Sequence, residues 1–221
     1  MSSRRVRALV AECLGTALLL AAVVGSGIMG ERLSDGNVAL ALLANTAATG
    51  AALVALILTF GPISGAHFNP VLTLSKAWEG SLHKREVAGY VLAQIGGALG
   101  GVAVAHLMFG EPLYSLSHHV RHGPAQLLSD FVATFGLLAV IGFCERHRST
   151  SVPFAVGAYI AAAYWFTAST SFANPAVTLA LAVSDTFAGI RPADVPGFLV
   201  AQVLGAPAGT LIVRWLAGDA R

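Results

Sequence analysis

Residues 64–74 read SGAHFNPVLTL and residues 169–179 read STSFANPAVTL, so one pattern occurs twice in the chain. In each copy a loop of small residues runs into Asn-Pro, and a short apolar stretch follows. Asn is a preferred N-cap residue, and Pro suits the first helical position because its missing N–H costs nothing there. Each copy therefore predicts a loop that turns into a helix, over about 69–79 and 174–184. These helices are too short to cross a bilayer, which takes about 20 apolar residues.

The composition indicates a membrane protein. Hydrophobic residues make up 56% of the chain and charged residues only 11%, whereas about a quarter of a soluble domain is charged. The net charge of +2 gives no reason to expect nucleic acid or another polyanion as a partner. The basic start could pass for a signal peptide, but Glu12 interrupts the apolar run, so we expect a retained membrane helix. The apolar stretches predict six full spans, at about 8–29, 38–60, 86–108, 126–143, 152–168 and 197–217.

The two halves of the chain repeat beyond Asn-Pro. Residues 11–16 (AECLGT) resemble residues 129–134 (SDFVAT), and residues 90–97 (YVLAQIGG) resemble residues 198–205 (FLVAQVLG). Three spans per half is an odd number, so the second copy must enter the membrane from the opposite side. We therefore predict an all-α membrane protein with six transmembrane helices and two re-entrant half-helices. They form an inverted 3+3 repeat whose halves cover about 8–108 and 126–217, and the half-helix N-termini meet near the middle.

The distribution of basic residues predicts the orientation, because cytoplasmic loops are enriched in Lys and Arg. With both termini inside, the outer set is Arg32, Arg121 and Arg191. The cytoplasmic set is Arg4, Arg5, Arg7, Lys76, Lys84, Arg85, Arg146, Arg148, Arg214 and Arg221. Ten residues against three favour both termini in the cytoplasm.

Together these motifs make the chain similar to the aquaporin and aquaglyceroporin family, the major intrinsic proteins, over essentially its whole length. The resemblance implies a single membrane channel domain over residues 1–221, in which two Asn side-chain amides donate hydrogen bonds to a neutral permeant. The facing helix N-termini add a positive potential that opposes cations. Either Asn alone could be only a helix cap, but the symmetric pair favours a role in the pore. The implied pore motifs are Asn69, Pro70, Val71 and Asn174, Pro175, Ala176, with Val71 in place of the usual Ala and expected to reshape the centre slightly.

The outer constriction is where this sequence departs from the family. That selectivity filter usually includes an Arg directly after the second Asn-Pro-Ala, where this chain has Val177. Counting from the motifs places Thr49 at the second-helix position and Ser171 at the loop position. The fifth-helix position is ambiguous between Ala162 and Tyr164, because the connection from that helix to Asn174 looks two residues short. In either case we expect a wide, weakly polar filter that has lost its fixed charge.

Polar residues within the spans have two interpretations. Intramembrane carboxylates such as Glu12 and Asp130 are functional by default, for example in a proton relay. The resemblance implies instead that they accept hydrogen bonds from the loops ahead of the half-helices, and we favour this supporting role. His67, Gln94 and Gln202 are interpreted as further supports of these loops and not as selectivity residues.

Three histidines, His118, His119 and His122, follow the third span. They could bind a metal or sense pH, but no Cys or carboxylate joins them at ligand spacing, so we expect a solvated loop. The sequence contains no catalytic constellation, phosphate loop or nucleotide motif. We therefore expect no enzyme activity, no metal site and no cofactor.

The resemblance implies a passive channel for small uncharged solutes and water. Short prokaryotic members with Val at the Arg position resemble those associated with arsenic handling, which implies arsenite or neutral organoarsenicals besides glycerol and urea. Two alternatives stay open: a water-selective aquaporin, and a coupled secondary transporter, since inverted repeats build those too. The partners implied are the lipid bilayer, small neutral solutes and water. We expect an integral protein of a prokaryotic inner membrane and a homotetramer with one pore per subunit.

Overall fold

The computed structural model describes residues 3–218, which form eight α-helices and no β-strand. Short 3-10 turns precede three of the helices, at Lys84–Glu86, Ser149–Ser151 and Pro192–Asp194. Two helices are short, α3 (Pro70–Trp78) and α7 (Pro175–Leu181). The six longer helices are α1 (Ser3–Leu33), α2 (Val38–Ser64), α4 (Val87–Phe109), α5 (Pro124–His147), α6 (Val152–Phe166) and α8 (Val195–Leu216).

Five helices are long and apolar enough to cross a membrane: α1, α2, α4, α5 and α8, counting the 3-10 turns that precede α4 and α8. Helix α6 is the sixth crossing but has only 15 residues, which is about 22 Å at 1.5 Å per residue. A hydrocarbon core is about 30 Å thick. The predicted span over 152–168 is therefore too long, because the helix ends at Phe166 where the second re-entrant loop begins. The prediction of an all-α fold with six crossings and two half-helices is confirmed.

The two halves pack in the same way. Helix α1 lies against α2 and α4, α5 lies against α6 and α8, and α2 meets α6 between the halves. The close contacts of α1 with α4 and of α5 with α8 depend on glycine, because a Cβ at these positions would overlap a carbonyl oxygen of the neighbouring helix. The four glycines and the carbonyls they approach are Gly97 on Cys13, Gly101 on Ala17, Gly205 on Phe131 and Gly209 on Phe135.

The half-helices begin as their sequences predict. Asn69 caps α3 with its side-chain oxygen, which accepts a hydrogen bond from the Val71 N–H at 3.0 Å. Asn174 caps α7 in the same way and accepts from the Ala176 N–H at 3.0 Å. Both half-helices have Pro directly after the cap. The N-termini of α3 and α7 lie next to each other, because the Asn69 side chain hydrogen-bonds to the loop before α7.

The second half-helix is shorter than the predicted range of 174–184, because it ends at Leu181. The chain that follows is engaged by the loop between α4 and α5 instead of continuing the helix. The Ser115 N–H donates to the Val183 carbonyl at 3.1 Å, and the Ser117 N–H donates to the Ala182 carbonyl at 3.0 Å. The α4–α5 loop therefore covers the C-terminal end of α7.

Candidate functional site

A cavity of about 250 Å³ runs between the two faces of the molecule. The face where α1 begins and α8 ends is called the terminal face here, and the other is called the far face. At the terminal face the cavity is lined by Lys76 and Glu145, and at the far face by His119, Arg121 and Phe187. Most of the wall between them is apolar, with both half-helix Asn residues in the middle. Because α3 and α7 enter from opposite faces, both re-entrant loops contribute to this wall.

The two capping Asn residues tie the halves together across the cavity. Asn69 Nδ2 donates to the Ala173 carbonyl at 2.8 Å, and Asn174 Nδ2 donates to the Phe68 carbonyl at 2.8 Å. A primary amide has two N–H groups, so each side chain keeps one further donor after making this bond. Both Asn residues line the cavity. The centre of the cavity therefore presents paired amide donors in fixed positions.

Glu12 of α1 holds the first re-entrant loop through both carboxylate oxygens. Oε1 accepts from the Ser64 hydroxyl at 2.7 Å and from the His67 N–H at 2.9 Å. Oε2 accepts from the Phe68 N–H at 2.7 Å and from Gln94 Nε2 at 2.8 Å. Glu12 is fully buried, so these bonds satisfy both the carboxylate and the loop donors. Such an arrangement suits a structural brace.

The second re-entrant loop is held in a similar way by Asp130 of α5. Oδ1 accepts from the Ala173 N–H at 3.1 Å and from the Ser169 hydroxyl at 3.3 Å. Oδ2 accepts from Gln202 Nε2 at 2.7 Å, and the same nitrogen donates to the Thr178 hydroxyl at 2.7 Å. In the first half Gln94 likewise donates to Thr73, at 2.9 Å. The two threonines were not identified from the sequence, although they occupy equivalent positions after the two Asn-Pro pairs.

These braces support unusual backbone conformations in both loops. Several non-glycine residues have positive φ angles of 48–55°, which are rare for side chains with a Cβ. Each such residue costs about 1–3 kcal/mol, and it persists only where the surrounding contacts impose it. The residues concerned are Ala66 and Phe68 in the first loop and Thr170, Ser171 and Ala173 in the second.

His67 both supports the first re-entrant loop and lines the cavity. Its backbone N–H donates to Glu12, and its ring Nδ1 lies 3.1 Å from the Thr73 hydroxyl. The ring packs at 5.3 Å from the ring of Tyr90. It also lines the cavity, so the sequence interpretation of His67 as a loop support alone is incomplete.

The expected filter residues fall into two groups. Thr49, Tyr164, Ser171 and Val177 all line the cavity, and the Tyr164 hydroxyl donates to the Thr49 hydroxyl at 3.4 Å. Ala162 is exposed on α6 and lies outside the cavity wall. Of the two alternatives for the fifth-helix position, the structure therefore places only Tyr164 at the cavity. The reason is helical geometry, since two residues along a helix point to different sides.

The other residues of the two Asn-Pro motifs do not form the wall. Val71 is 2% exposed and belongs to the hydrophobic core around the half-helices, not to the cavity lining. Val71 therefore does not form part of the cavity wall, and an effect of this residue on the centre of the pore stays a prediction. Pro70, Pro175 and Ala176 likewise serve the start of each half-helix, and none of them is in the cavity wall.

The residues at the expected filter positions are uncharged, but a charged residue that the sequence analysis did not single out, Arg121, lines the far end of the cavity. This residue belongs to the α4–α5 loop and is only 8% exposed. Its Nη1 donates to the Thr170 hydroxyl at 3.3 Å, next to Ser171. Burial lowers the pKa of Arg121 to about 10, which still leaves it charged at neutral pH. The sequence placed this Arg in a solvated loop, and no periodicity or motif distinguishes it there.

A second charged group lies at the terminal end of the cavity. Lys76 of α3 forms an ion pair with Glu145 of α5, and both side chains line the cavity. Lys76 also lies 3.6 Å from Glu79. Lys76 is 9% exposed, so its charge is compensated by carboxylates at this end. The sequence had counted Lys76 only as a loop cation.

The three loop histidines have separate positions. His118 Nδ1 lies 3.0 Å from Asp185 Oδ2, on the exposed surface. His119 is at the far end of the cavity, and His122 is exposed. The described residues contain no group of three His, Cys, Asp or Glu side chains arranged to hold a metal ion. Cys13 and Cys144 are free thiols.

Comparison with known proteins places this architecture in a family. The model of the major intrinsic protein family matches residues 1–171 and again residues 125–220. Aquaglyceroporin AqpS of Rhizobium meliloti (strain 1021) is 57% identical over 215 residues, covering 97% of this chain and 92% of the relative. Aquaporin NIP1-1 of Arabidopsis thaliana is 31% identical over 219 residues, covering 92% of this chain and 71% of the relative.

A solved structure agrees at the level of the fold. The X-ray structure of the aquaglyceroporin from Plasmodium falciparum superposes with a TM-score of 0.74 at 20% identity, covering 97% of this chain and 96% of that one. The family consists of passive membrane channels for small solutes, not of enzymes. With a family match along nearly its whole length and a cavity between its two faces, this chain is a member of the major intrinsic protein family.

Proposed function

We propose that this channel passes small uncharged solutes down their concentration gradients, with glycerol, urea and arsenite or neutral organoarsenicals as substrates, together with water. The observation that carries the proposal is Val177 on the cavity wall, which also includes the small side chains of Thr49 and Ser171. Val occupies less room than the Arg usual at that position in the family and leaves space for solutes larger than water. The name of the R. meliloti relative, an aquaglyceroporin, supports the same substrate class.

In this proposal a solute is passed between fixed donors and acceptors along a mostly apolar wall. The free N–H groups of Asn69 and Asn174 donate to the solute oxygen at the centre, and loop carbonyls accept from its hydroxyl or amino groups. Thr49, Tyr164, Ser171 and Val177 form the selectivity filter towards the far face. An uncharged solute exchanges its water contacts for these groups, whereas an ion loses far more hydration than they replace.

Glu12 and Asp130, with His67, Gln94 and Gln202, keep the loop carbonyls and Asn amides in position. Their hydrogen bonds run to loop backbone and to hydroxyl groups, which supports bracing over a proton relay. A relay would need a continuous chain of exchangeable protons to both faces, and the carboxylates are instead fully buried among their partners.

The proposal also covers the setting of the channel. The whole of residues 1–221 forms one channel domain in a prokaryotic inner membrane, with the terminal face in the cytoplasm because most Lys and Arg residues belong to that side. We expect a homotetramer with one pore per subunit, as the family resemblance implies.

Solute flux into proteoliposomes tests the proposal. Stopped-flow light scattering with matched osmotic gradients of glycerol, urea or arsenite, and of an impermeant solute for water, gives each permeability in one preparation. We expect all three solutes to enter much faster than into empty liposomes. A large water permeability with solute entry at the level of empty liposomes would instead establish a water-selective channel.

A coupled secondary transporter is the remaining alternative, because inverted repeats also build such proteins. The Asn-Pro ends of α3 and α7 carry no charged side chain that could bind a coupling ion. Collapse of the proton and sodium gradients with ionophores separates the two mechanisms. Solute entry that stops when the gradients collapse would contradict a passive channel.

A further inference from the structure

Arg121 is fixed in position by contacts with several residues of the second half of the chain. Its backbone N–H donates to Asp194 Oδ2 at 2.9 Å, and its Nε donates to the Gly189 carbonyl at 2.8 Å. The guanidinium carbon lies 5.0 Å from the centre of the Phe172 ring, within the range of a cation–π contact. These contacts fix the guanidinium against the second re-entrant loop.

One side of the guanidinium remains unused. Within residues 3–218 its Nη2 makes no hydrogen bond, and no carboxylate forms an ion pair with Arg121. The nearby Asp194 carboxylate is paired with Arg191, at 2.8 Å. A buried and unpaired cation costs several kcal/mol unless it faces water or a ligand. The available face is the cavity, whose wall Arg121 shares with Tyr164 and Val177.

The two side-chain hydrogen bonds of Arg121 do not require its charge. The bond from Nε to Gly189 positions the chain after α7, and a neutral amide could make the same bond. The bond from Nη1 to Thr170 similarly needs a donor but no charge. The charged group with an unused donor therefore indicates an action on what passes through the cavity.

We propose that Arg121 is a specificity-determining residue of this channel, supplying from the α4–α5 loop the positive charge and the hydrogen-bond donor that Val177 lacks. The charge repels cations at the far end of the cavity, and Nη2 donates to the oxygen of an uncharged solute. Charge selection is thereby separated from size selection, because the residue at position 177 is free to stay small. The inference rests on the proposed passage of uncharged solutes.

Urea and guanidinium test the charge directly, because both are small, planar molecules of similar shape but only guanidinium is charged. Their fluxes into proteoliposomes are compared for the parent channel and for Arg121→Gln, whose amide can still reach the Gly189 carbonyl. We expect the parent to pass urea and exclude guanidinium. In Arg121→Gln the guanidinium flux relative to urea should rise about tenfold or more, as for the loss of a repulsion of about 1.4 kcal/mol.

Further variants separate charge from structure. Arg121→Lys keeps the charge and should keep guanidinium excluded. Arg32→Gln is the matched control, because Arg32 is on the same face, pairs with Glu111 and is not part of the cavity wall; it should behave as the parent. The double variant Arg121→Gln, Val177→Arg has a positive charge in the same cavity, supplied by α7. It should exclude guanidinium again.

Several outcomes would overturn the inference. A parent channel that passes guanidinium as readily as urea would overturn the inference without any variant. This test therefore applies even if Arg121→Gln does not fold. A folded Arg121→Gln variant with the parent's ratio of guanidinium flux to urea flux would also overturn the inference, because the cation barrier would then lie at the central Asn pair. Failure of the proposed function is distinct: the parent would then pass neither urea nor glycerol above the level of empty liposomes.

Discussion

The two re-entrant loops have the same plan but different supports. In the first loop the Glu12 side chain is long enough to accept from the backbone N–H groups of both His67 and Phe68, at 2.9 and 2.7 Å. In the second loop Asp130 is one methylene shorter, and its bonds to Ala173 and Ser169 are 3.1 and 3.3 Å. The second loop is also contacted from the far face, by Arg121.

This difference shows where an inverted repeat departs from symmetry. Every polar partner of Glu12 belongs to the first half of the chain, so the first loop is supported within its own repeat. The second loop is supported partly by the α4–α5 loop, which belongs to neither repeat. A selectivity residue on the α4–α5 loop can therefore act at the second re-entrant loop without disturbing the hydrogen bonds of Glu12 and Asp130.

Removal of the two braces should have the largest effect. Glu12→Ala leaves Ser64, Gln94 and two loop N–H groups without their acceptor, at about 1–3 kcal/mol for each buried donor. Asp130→Ala leaves fewer and weaker bonds unmade, so the loss of folding stability should be smaller. Thermal unfolding of the detergent-solubilised proteins, with the yield of monodisperse protein, measures both. An Asp130→Ala variant less stable than Glu12→Ala would contradict the ranking of the two supports.

A negative charge introduced at the central Asn pair should have the next largest effect on flux. The effect should be the same at Asn69 and at Asn174. Asn174→Asp replaces an amide donor by a carboxylate that faces the Phe68 carbonyl, and Asn69→Asp does so against Ala173. We expect solute flux to fall about tenfold, as for a barrier raised by about 1.4 kcal/mol. Cation or proton leak should rise, because the negative charge offsets the positive half-helix ends.

The control for this pair is Asn37→Asp, because Asn37 caps α2 outside the cavity and Asp is an equally good cap. Its fluxes and leak should match the parent. If both Asn174→Asp and Asn69→Asp have the solute flux and leak of the parent, the Asn pair does not line the permeation path.

Enlargement of residue 177 tests the size filter of the second loop. Val177→Arg narrows the cavity next to Tyr164 and places a second cation near Arg121, so bulky solutes should lose several-fold more flux than water. Val177→Leu adds size without charge and should act in the same direction but less strongly, as should Thr49→Phe. Glycerol and arsenite flux relative to water, measured on protein of verified folding, tests this. An unchanged ratio in Val177→Arg would mean that position 177 does not limit the solute.

The mildest change is to make each carboxylate neutral. Glu12→Gln and Asp130→Asn keep one acceptor oxygen, but turn the other into an amide nitrogen that faces donors. We expect most of the solute flux to remain, with a somewhat larger loss for Glu12→Gln because two backbone N–H groups depend on that residue. Flux measured over a range of pH is the check. A pH-dependent flux that disappears in well-expressed Glu12→Gln would favour the proton-relay interpretation of Glu12.

The sequence was sufficient for features that repeat or have a local physical cause. The Asn-Pro caps, the half-helices and the odd number of spans per half follow from neighbouring residues or from comparison of the halves. The hydrogen bonds that Glu12 and Asp130 accept from the loops were expected from the resemblance. Thr73 and Thr178, which accept from Gln94 and Gln202, were not expected.

Features that depend on a long connection were not predictable. The choice between Ala162 and Tyr164 required the rotation of α6 about its axis, which the uncertain length of the connection from α6 to Asn174 concealed. Arg121 lies in an irregular loop without periodicity, and its burial results from contacts with residues 49 to 73 positions further along the chain. Only the folded structure brings these segments together.

The crossed Asn bonds have a consequence for the order of assembly. Glu12 meets all its partners within the first 94 residues, so the first loop can be braced as soon as that part of the chain is inserted. The Asn69 amide and the Phe68 carbonyl, by contrast, find their partners 104 and 106 residues later in the chain. During synthesis the crossed bonds at the centre of the channel can therefore form only after the second re-entrant loop has been made. Cross-links between cysteines placed in the two loops, followed in nascent chains of increasing length, should appear only once the second half-helix has entered.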